Sequence, residues 1–271
     1  YLYTGHDEAP PGTEKYIMND WRCFSSGDMV SWREHPVPLK ATDFKWAKGD
    51  AYASKVIEHD NAFYFFAAVT PKEGDGKAIA VAVAESPVGP FKDALGKPLV
   101  TKDTIEGVDA TGDNFDPTVL IDQDGSAWIC WGKKICYYAR LSKDLLATEG
   151  PVKKIKLPGF QEGAHIHRRG EWYYLCYGYE MPEKVAYAMS RNMEGPWDFK
   201  GILNDVPANS ETNRPCIVDF KGRSYFFYHN GKLKEGGSHR RSVCVDYLYY
   251  NADGTIKKIV MTDEGVTNSN I

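Results

Sequence analysis

The chain has 271 residues, 42% of them hydrophobic, enough to bury a sizeable core as one domain or two. Its net charge of −4 and pI near 6.0 give no electrostatic footprint for nucleic acid or an anionic membrane. The longest apolar runs are strand-sized, which excludes a helical membrane span, and the six cysteines form no CxxC pair, which excludes zinc-ribbon and thioredoxin-like sites. Those cysteines are expected as buried free thiols. The 17 tyrosines and 7 tryptophans suit β-structure and sugar-stacking surfaces alike.

In chain order, Tyr1-Leu2-Tyr3 predicts a short aromatic strand, followed by a turn-rich loop through His6, Asp7 and Pro10-Pro11-Gly12. Trp21 to Ser26 is a strand, and Asp28 to Trp32 a turn ending in a tryptophan. Val56–Asn61 and Phe63–Phe66 predict a hairpin, with a third alternating strand over Ala78–Ala84. Asn114-Phe115-Asp116-Pro117 opens the apolar run Thr118–Ile121, an Asp124-Gly125 turn follows, and an aromatic strand returns through Trp128 and Trp131. The layout comes back at Glu162-Gly163-Ala164-His165 with the return Trp172–Tyr177. A last copy runs from Asn213-Arg214-Pro215 through Ser224–His229.

Aligned on their turns, the copies have return strands beginning near Tyr1, Phe63, Ala127, Trp172 and Ser224. This spacing is a propeller-blade length, so the expected fold is all-β: one five-bladed β-propeller domain over residues 1–271, with its active site at one end of the central axis. A β-sandwich also shows short alternating strands, but it demands no repeat of this length. Innermost strands of a propeller converge, and the residues at the equivalent pre-turn position are Tyr52-Ala53, Asp116, Glu162 and Arg214. Two carboxylates at one level are the equipment for glycoside hydrolysis. The bland reading of Asp116 is a turn starter, and of Glu162 an exposed loop residue; recurrence at one repeat position argues against both.

Phe115-Asp116-Pro117-Thr118-Val119, its return Asp124-Gly125-Ser126-Ala127-Trp128, Glu162-Gly163-Ala164-His165, Tyr228-His229-Asn230 and Arg241-Ser242-Val243 resemble glycoside hydrolase family 43, five-bladed propeller enzymes acting on arabinofuranosides and xylosides. The resemblance extends over essentially the whole chain. It implies an inverting mechanism with three acids. Glu162 would be the general acid, its pKa raised by partial burial and a nearby anion, and Asp116 the pKa modulator. Arg241 would bind sugar hydroxyls and balance the acids' charge.

Two departures from the family stand out. The family's general base is an aspartate on the innermost strand of blade one, and Tyr1 already lies within the next strand. The base and its strand are therefore expected about ten residues upstream of Tyr1, by analogy with the other repeats. Asp7 is the nearby substitute in sequence, and His6 and Asp7 are candidates to line the sugar pocket. The second departure is Arg214, where family members often carry a histidine near an axial calcium. A fixed cation disfavours a divalent ion, so no metal or other cofactor is expected, and Arg214 is a candidate to bridge the acids or bind substrate. His165 and His167 share one strand face and are expected as satisfied histidines rather than zinc ligands.

Trp46, Tyr52 and Phe115 are candidate sugar-stacking residues, whereas Trp128 and Trp172 read as core. The expected function is release of α-L-arabinofuranosyl or β-D-xylosyl units from plant polysaccharide or oligosaccharide, with arabinofuranose preferred. A monomer with no nucleic-acid or membrane partner is expected, secreted or periplasmic on substrate size alone. Two rivals are a carbohydrate-binding propeller that has lost its general base and a propeller serving protein interaction.

Overall fold

A computed structural model of the chain describes residues 1–109 and 112–267. Five antiparallel sheets follow one another along it and form the five blades of a β-propeller. Blade one contains β1 (Leu2–Gly5), β2 (Asp20–Ser25), β3 (Arg33–Glu34) and β4 (Leu39–Lys40), with β2 pairing all three others. Blade two contains β5 (Ala47–Gly49), β6 (Ser54–His59), β7 (Ala62–Pro71), β8 (Ala78–Ala84) and β9 (Lys92–Asp93). Blade three follows a short helix, α1 (Lys102–Asp109), and runs in order through β10 (Thr118–Ile121), β11 (Ala127–Trp131), β12 (Cys136–Leu141) and β13 (Thr148–Ile155). Blade four is β14 (Phe160–Arg169), β15 (Trp172–Tyr179), β16 (Lys184–Ser190) and β17 (Asp198–Asn204). Blade five is β18 (Cys216–Phe220), β19 (Arg223–Asn230) and β20 (Ser242–Leu248).

Tight turns set the register. Asp60 and Asn61 both have positive φ (47° and 60°), as do Lys221 and Gly222 (48° and 76°), the geometry that matches the twist of a two-residue hairpin. Period-two alternation then divides each central strand between two neighbouring blades. On β7, Phe65, Ala67 and Val69 pack toward blade one, while Phe66 and Ala68 pack toward blade three. On β15, Tyr173, Leu175 and Tyr177 face blade three, and Tyr174 and Cys176 face blade five. Both faces of these strands are dry, which explains why they read as unbroken apolar runs. A slip of one residue would exchange every side chain between two different interfaces.

All six cysteines are free thiols, and Cys23, Cys130, Cys136 and Cys176 are buried. His165 accepts the Ile217 amide at 3.0 Å. His167 bonds the Tyr250 hydroxyl at 3.0 Å and stacks on Tyr174. These two histidines thus fasten blade four to blade five.

Leu175 is fully buried between blades three and four. Leu175→Ala is expected to cost about 2–5 kcal/mol, the range for a large-to-small change in a rigid core. Urea denaturation of the two proteins checks this, and a loss below about 1 kcal/mol would show that the interface relaxes to refill the space.

Candidate active site

The segment before β10 is held before it does any chemistry. Trp131 Nε1 donates to Asn114 Oδ1 at 2.8 Å, Asn114 Nδ2 donates to the Lys77 carbonyl at 3.0 Å, and the Gly132 amide donates to the Phe115 carbonyl at 2.7 Å. Asp116 follows in a left-handed backbone conformation (φ 57°) and is 2% exposed. For a residue with a side chain that conformation costs about 1–3 kcal/mol and persists only where its surroundings enforce it.

The Asp116 carboxylate joins three blades. Oδ1 pairs with Arg214 Nη2, from the segment ahead of β18, and Oδ2 accepts the Gly163 amide of β14 at 2.7 Å. Gly163 has φ 72°, which turns its N–H toward Asp116 and leaves the preceding Glu162 on the open side. Burial, reinforced by the neighbouring Glu162 charge, pushes Asp116 above the ordinary carboxylate range; Arg214 and the Gly163 amide oppose this without cancelling it.

Glu162 is 18% exposed, and its Oε2 lies 3.0 Å from Lys133 Nζ. Burial works against the Lys133 charge, but Glu162 outweighs it and raises the ammonium pKa. Lys133 also lies over the Phe115 ring, 4.7 Å from its centroid. Phe115 and Tyr52 are neighbours at 5.8 Å, and Lys77 sits 4.3 Å over Tyr52 while paired with Asp50 at 2.8 Å. Tyr16 extends this arc, edge-on to Tyr52 at 6.4 Å. Tyr52 and Phe115 therefore lie beside Glu162 as a rim of rings and cations. Trp46 does not join it: its indole N–H donates to Asp93 of β9 at 3.1 Å, and its ring packs on Phe44 in the core of blade two.

Arg241 has a different partner from the one its expected role suggested. Its guanidinium grips Asp7 with two bonds of 2.9 Å, and its amide adds a third at 2.8 Å. The guanidinium also lies over Tyr16, at 4.6 Å. The cations in direct contact with the acids are Arg214, on Asp116, and Lys133, on Glu162. His6 bonds Asp20 at 2.9 Å and approaches Arg22 at 3.3 Å. Together His6, Asp7 and Arg241 line a cleft of about 640 Å³ between blades one and five, walled by Leu2 and Thr4 of β1 and by Phe227 and Val245. Among the described residues, the β1 edge on that side has no strand partner.

Sequence reasoning missed Tyr16, Lys77, Lys133, His229 and above all Glu183. Glu183 ends the turn between β15 and β16, is 2% exposed, and accepts the Asn213 amide at 3.0 Å. Burial, then the Glu162 charge, pushes it up to about 8. His229 is pushed the other way, down to about 3, by burial and by the charges of Arg241 and Arg214; it bonds Thr212 as a neutral ring. Among the described residues, no three His, Cys, Asp or Glu side chains come together as a metal-ligand set, and the Arg214 guanidinium lies against Asp116 at the axis. A fixed guanidinium against Asp116 disfavours a divalent ion beside that carboxylate.

The Asp7–Arg241 pair is sheltered (8% and 19% exposed), so Asp7→Asn leaves a largely desolvated guanidinium without its anion, an expected loss of about 3–5 kcal/mol. Burial alone would raise the Asp7 carboxyl, but the Arg241 bonds hold it below its ordinary 3.8. Its contribution is therefore present above pH 3.8 and is lost as pH falls through the lowered value. Thermal unfolding across that acid range should show a component in the wild type that Asp7→Asn lacks.

Known proteins place this architecture. The chain is 28% identical over 321 residues to an arabinoxylan arabinofuranohydrolase from Bacillus subtilis, a match covering 98% of this chain and 61% of the relative's length. An α-L-arabinofuranosidase from Clostridium thermocellum superposes with a TM-score of 0.83 at 33% identity, covering 96% of this chain and 89% of that one. A β-xylosidase/α-arabinofuranosidase from a compost microbial metagenome, solved with xylotriose in a calcium-free form, gives 0.83 at 28% identity, covering 95% and 89%. The family profile described as glycosyl hydrolases family 43 matches residues 1–256, and this chain belongs to that family.

Proposed function

We propose that the chain is an inverting glycoside hydrolase releasing α-L-arabinofuranosyl or β-D-xylosyl units from plant hemicellulose or arabinan. The observation carrying this reading is the placement of Glu162, partly open and paired with Lys133, one residue from the amide that binds the fully buried Asp116. The names of the relatives support the sugar class: all three name an arabinofuranosyl-releasing activity, and one of them also names a β-xylosidase.

In this reading Glu162 protonates the leaving glycosidic oxygen. The anion it becomes is met at once by Lys133, a preorganised counter-charge that needs no solvent reorganisation. Asp116, fixed by Arg214 and Gly163, is the modulator: a second carboxyl group beside the acid that tunes its proton affinity. Phe115 and Tyr52 supply the apolar platform for a sugar ring, with Lys77, Lys133, Arg214, His6 and the Asp7–Arg241 pair available to its hydroxyls. No step calls for a metal or other cofactor.

An inverting reaction also needs a base on the opposite face of the sugar. The open β1 edge and the cleft beside it support an upstream strand that pairs with β1 and carries the base aspartate. We further propose a secreted or periplasmic monomer. No helix among the described residues is long and apolar enough to cross a membrane.

Turnover of aryl α-L-arabinofuranoside and aryl β-D-xyloside by protein carrying its native N-terminus tests the proposal. Glu162→Gln is expected to lower kcat by about 10²–10⁴-fold, the usual worth of a general acid. NMR of the first-formed sugar should show the anomer inverted. A Glu162→Gln protein as active as wild type would sink the assignment. No turnover, with arabinoxylan fragments still bound, would make this a carbohydrate-binding propeller.

A further inference from the structure

Glu183 lies outside the inner strands, at the tip of the β15–β16 hairpin, a place where carboxylates are ordinarily solvated. Its side chain instead turns inward. The hairpin tip is clamped to the segment before β18 in both directions: the Glu183 amide donates to the Glu211 carbonyl at 2.7 Å, and the Asn213 amide donates to Glu183 Oε2 at 3.0 Å. Asn213 is itself fully buried, with Nδ2 donating to Asn204 Oδ1 at 2.7 Å. The next residue is Arg214, which holds Asp116.

Room for the Glu183 carboxyl comes from Gly178. A Cβ there would lie 2.9 Å from both Cδ and Oε2 of Glu183. Gly178 is also the cross-strand partner of Glu162. The Glu183 carboxyl thus rests on the backbone directly opposite the proposed general acid. The charged groups facing it are Glu162 on β14, Asp116 ahead of β10, Arg214 ahead of β18 and, more distantly, Lys133 after β11.

We propose that Glu183 is a positioning residue for the Asp116–Glu162 pair, working as the neutral acid: through Asn213 it fixes Arg214 on Asp116, and loss of its proton to solvent places a competing anion beside Arg214. This deepens the hydrolase reading above and rests on it. A neutral Glu183 leaves Arg214 to Asp116 alone. Once ionised, it draws the guanidinium away and adds a third negative charge around the acid. Burial and the Glu162 charge, which push Glu183 up to about 8, move that event well above the ordinary carboxylate range.

The test is kcat and KM against pH for wild type, Glu183→Ala, Glu183→Gln and Gly178→Ala, on whichever aryl glycoside the wild type turns over. Glu183→Ala and Gly178→Ala are expected to lower kcat by about 10–100-fold with a smaller change in KM, as misplacement of a catalytic group does. Gly178→Ala needs only the flexible end of Glu183 to move, so it reports on position without removing the acid. Glu183→Gln keeps an acceptor for Asn213, cannot ionise, and should regain most of the kcat that Glu183→Ala loses while its alkaline limb moves to higher pH. Wild-type kcat in Glu183→Ala, or an alkaline limb unmoved in Glu183→Gln, overturns the proposal. If the wild type is active and Glu162→Gln is not, such a result sinks the role of Glu183 alone. A wild type without turnover sinks the hydrolase reading and this inference with it.

Discussion

One carboxylate holds three blades in register. Asp116 comes from blade three, its guanidinium partner from the entry to blade five, and its amide partner from blade four. Among the described residues no strand ladder joins one sheet to the next, so neighbouring blades are aligned mainly by side-chain packing, which tolerates small slides. A buried ion pair with an added amide bond does not. The strained backbone at Asp116 fits this view, since the residue is bent into position rather than settled there. Glu162 gains its place at second hand, as the neighbour of the glycine that Asp116 holds.

Charge around the acid pair is apportioned unevenly. Arg214 belongs to Asp116, Lys133 to Glu162 and Arg241 to Asp7. Among the described residues Glu183 has a backbone amide donor and no cation in salt-bridge contact. In a dry site, a carboxyl group with no counter-charge keeps its proton. The four carboxyl groups therefore differ in environment although they are the same chemistry, and such a difference makes distinct tasks possible.

The blades were legible from alternation and turns, because a strand buried on both faces leaves a continuous apolar run between turn residues. Asp116, Glu162 and Arg214 were legible because the repeat places them at one position in successive blades. Glu183 has no such register: it sits at a hairpin tip between strands that do not line the axis, and only the tertiary fold turns it inward. Its one local trace is Gly178, five residues earlier, a glycine between two tyrosines at the end of an aromatic strand. Lys133 and Lys77 read as ordinary solvated lysines for a similar reason, since their partners Glu162 and Asp50 lie 29 and 27 residues away. Trp46 looked close to the site because it is near Tyr52 in sequence. The Trp46 indole is instead taken up by Asp93 of β9 and by Phe44, whereas the Tyr52 ring meets Phe115.

A closed ring is only as firm as its loosest joint. Four of the joints between blades are filled by broad apolar clusters. The fifth, where the last blade meets the first, has Met29, Tyr225, Phe227 and Val266 as its buried hydrophobic residues. Much of the remaining closure is polar: Asp7 with Arg241, and Lys221 Nζ on the Gly27 carbonyl at 2.7 Å. A joint built this way responds to acidity, through the Asp7 carboxylate, more than an apolar joint does. The circle is thus fastened by a clasp that acid can undo.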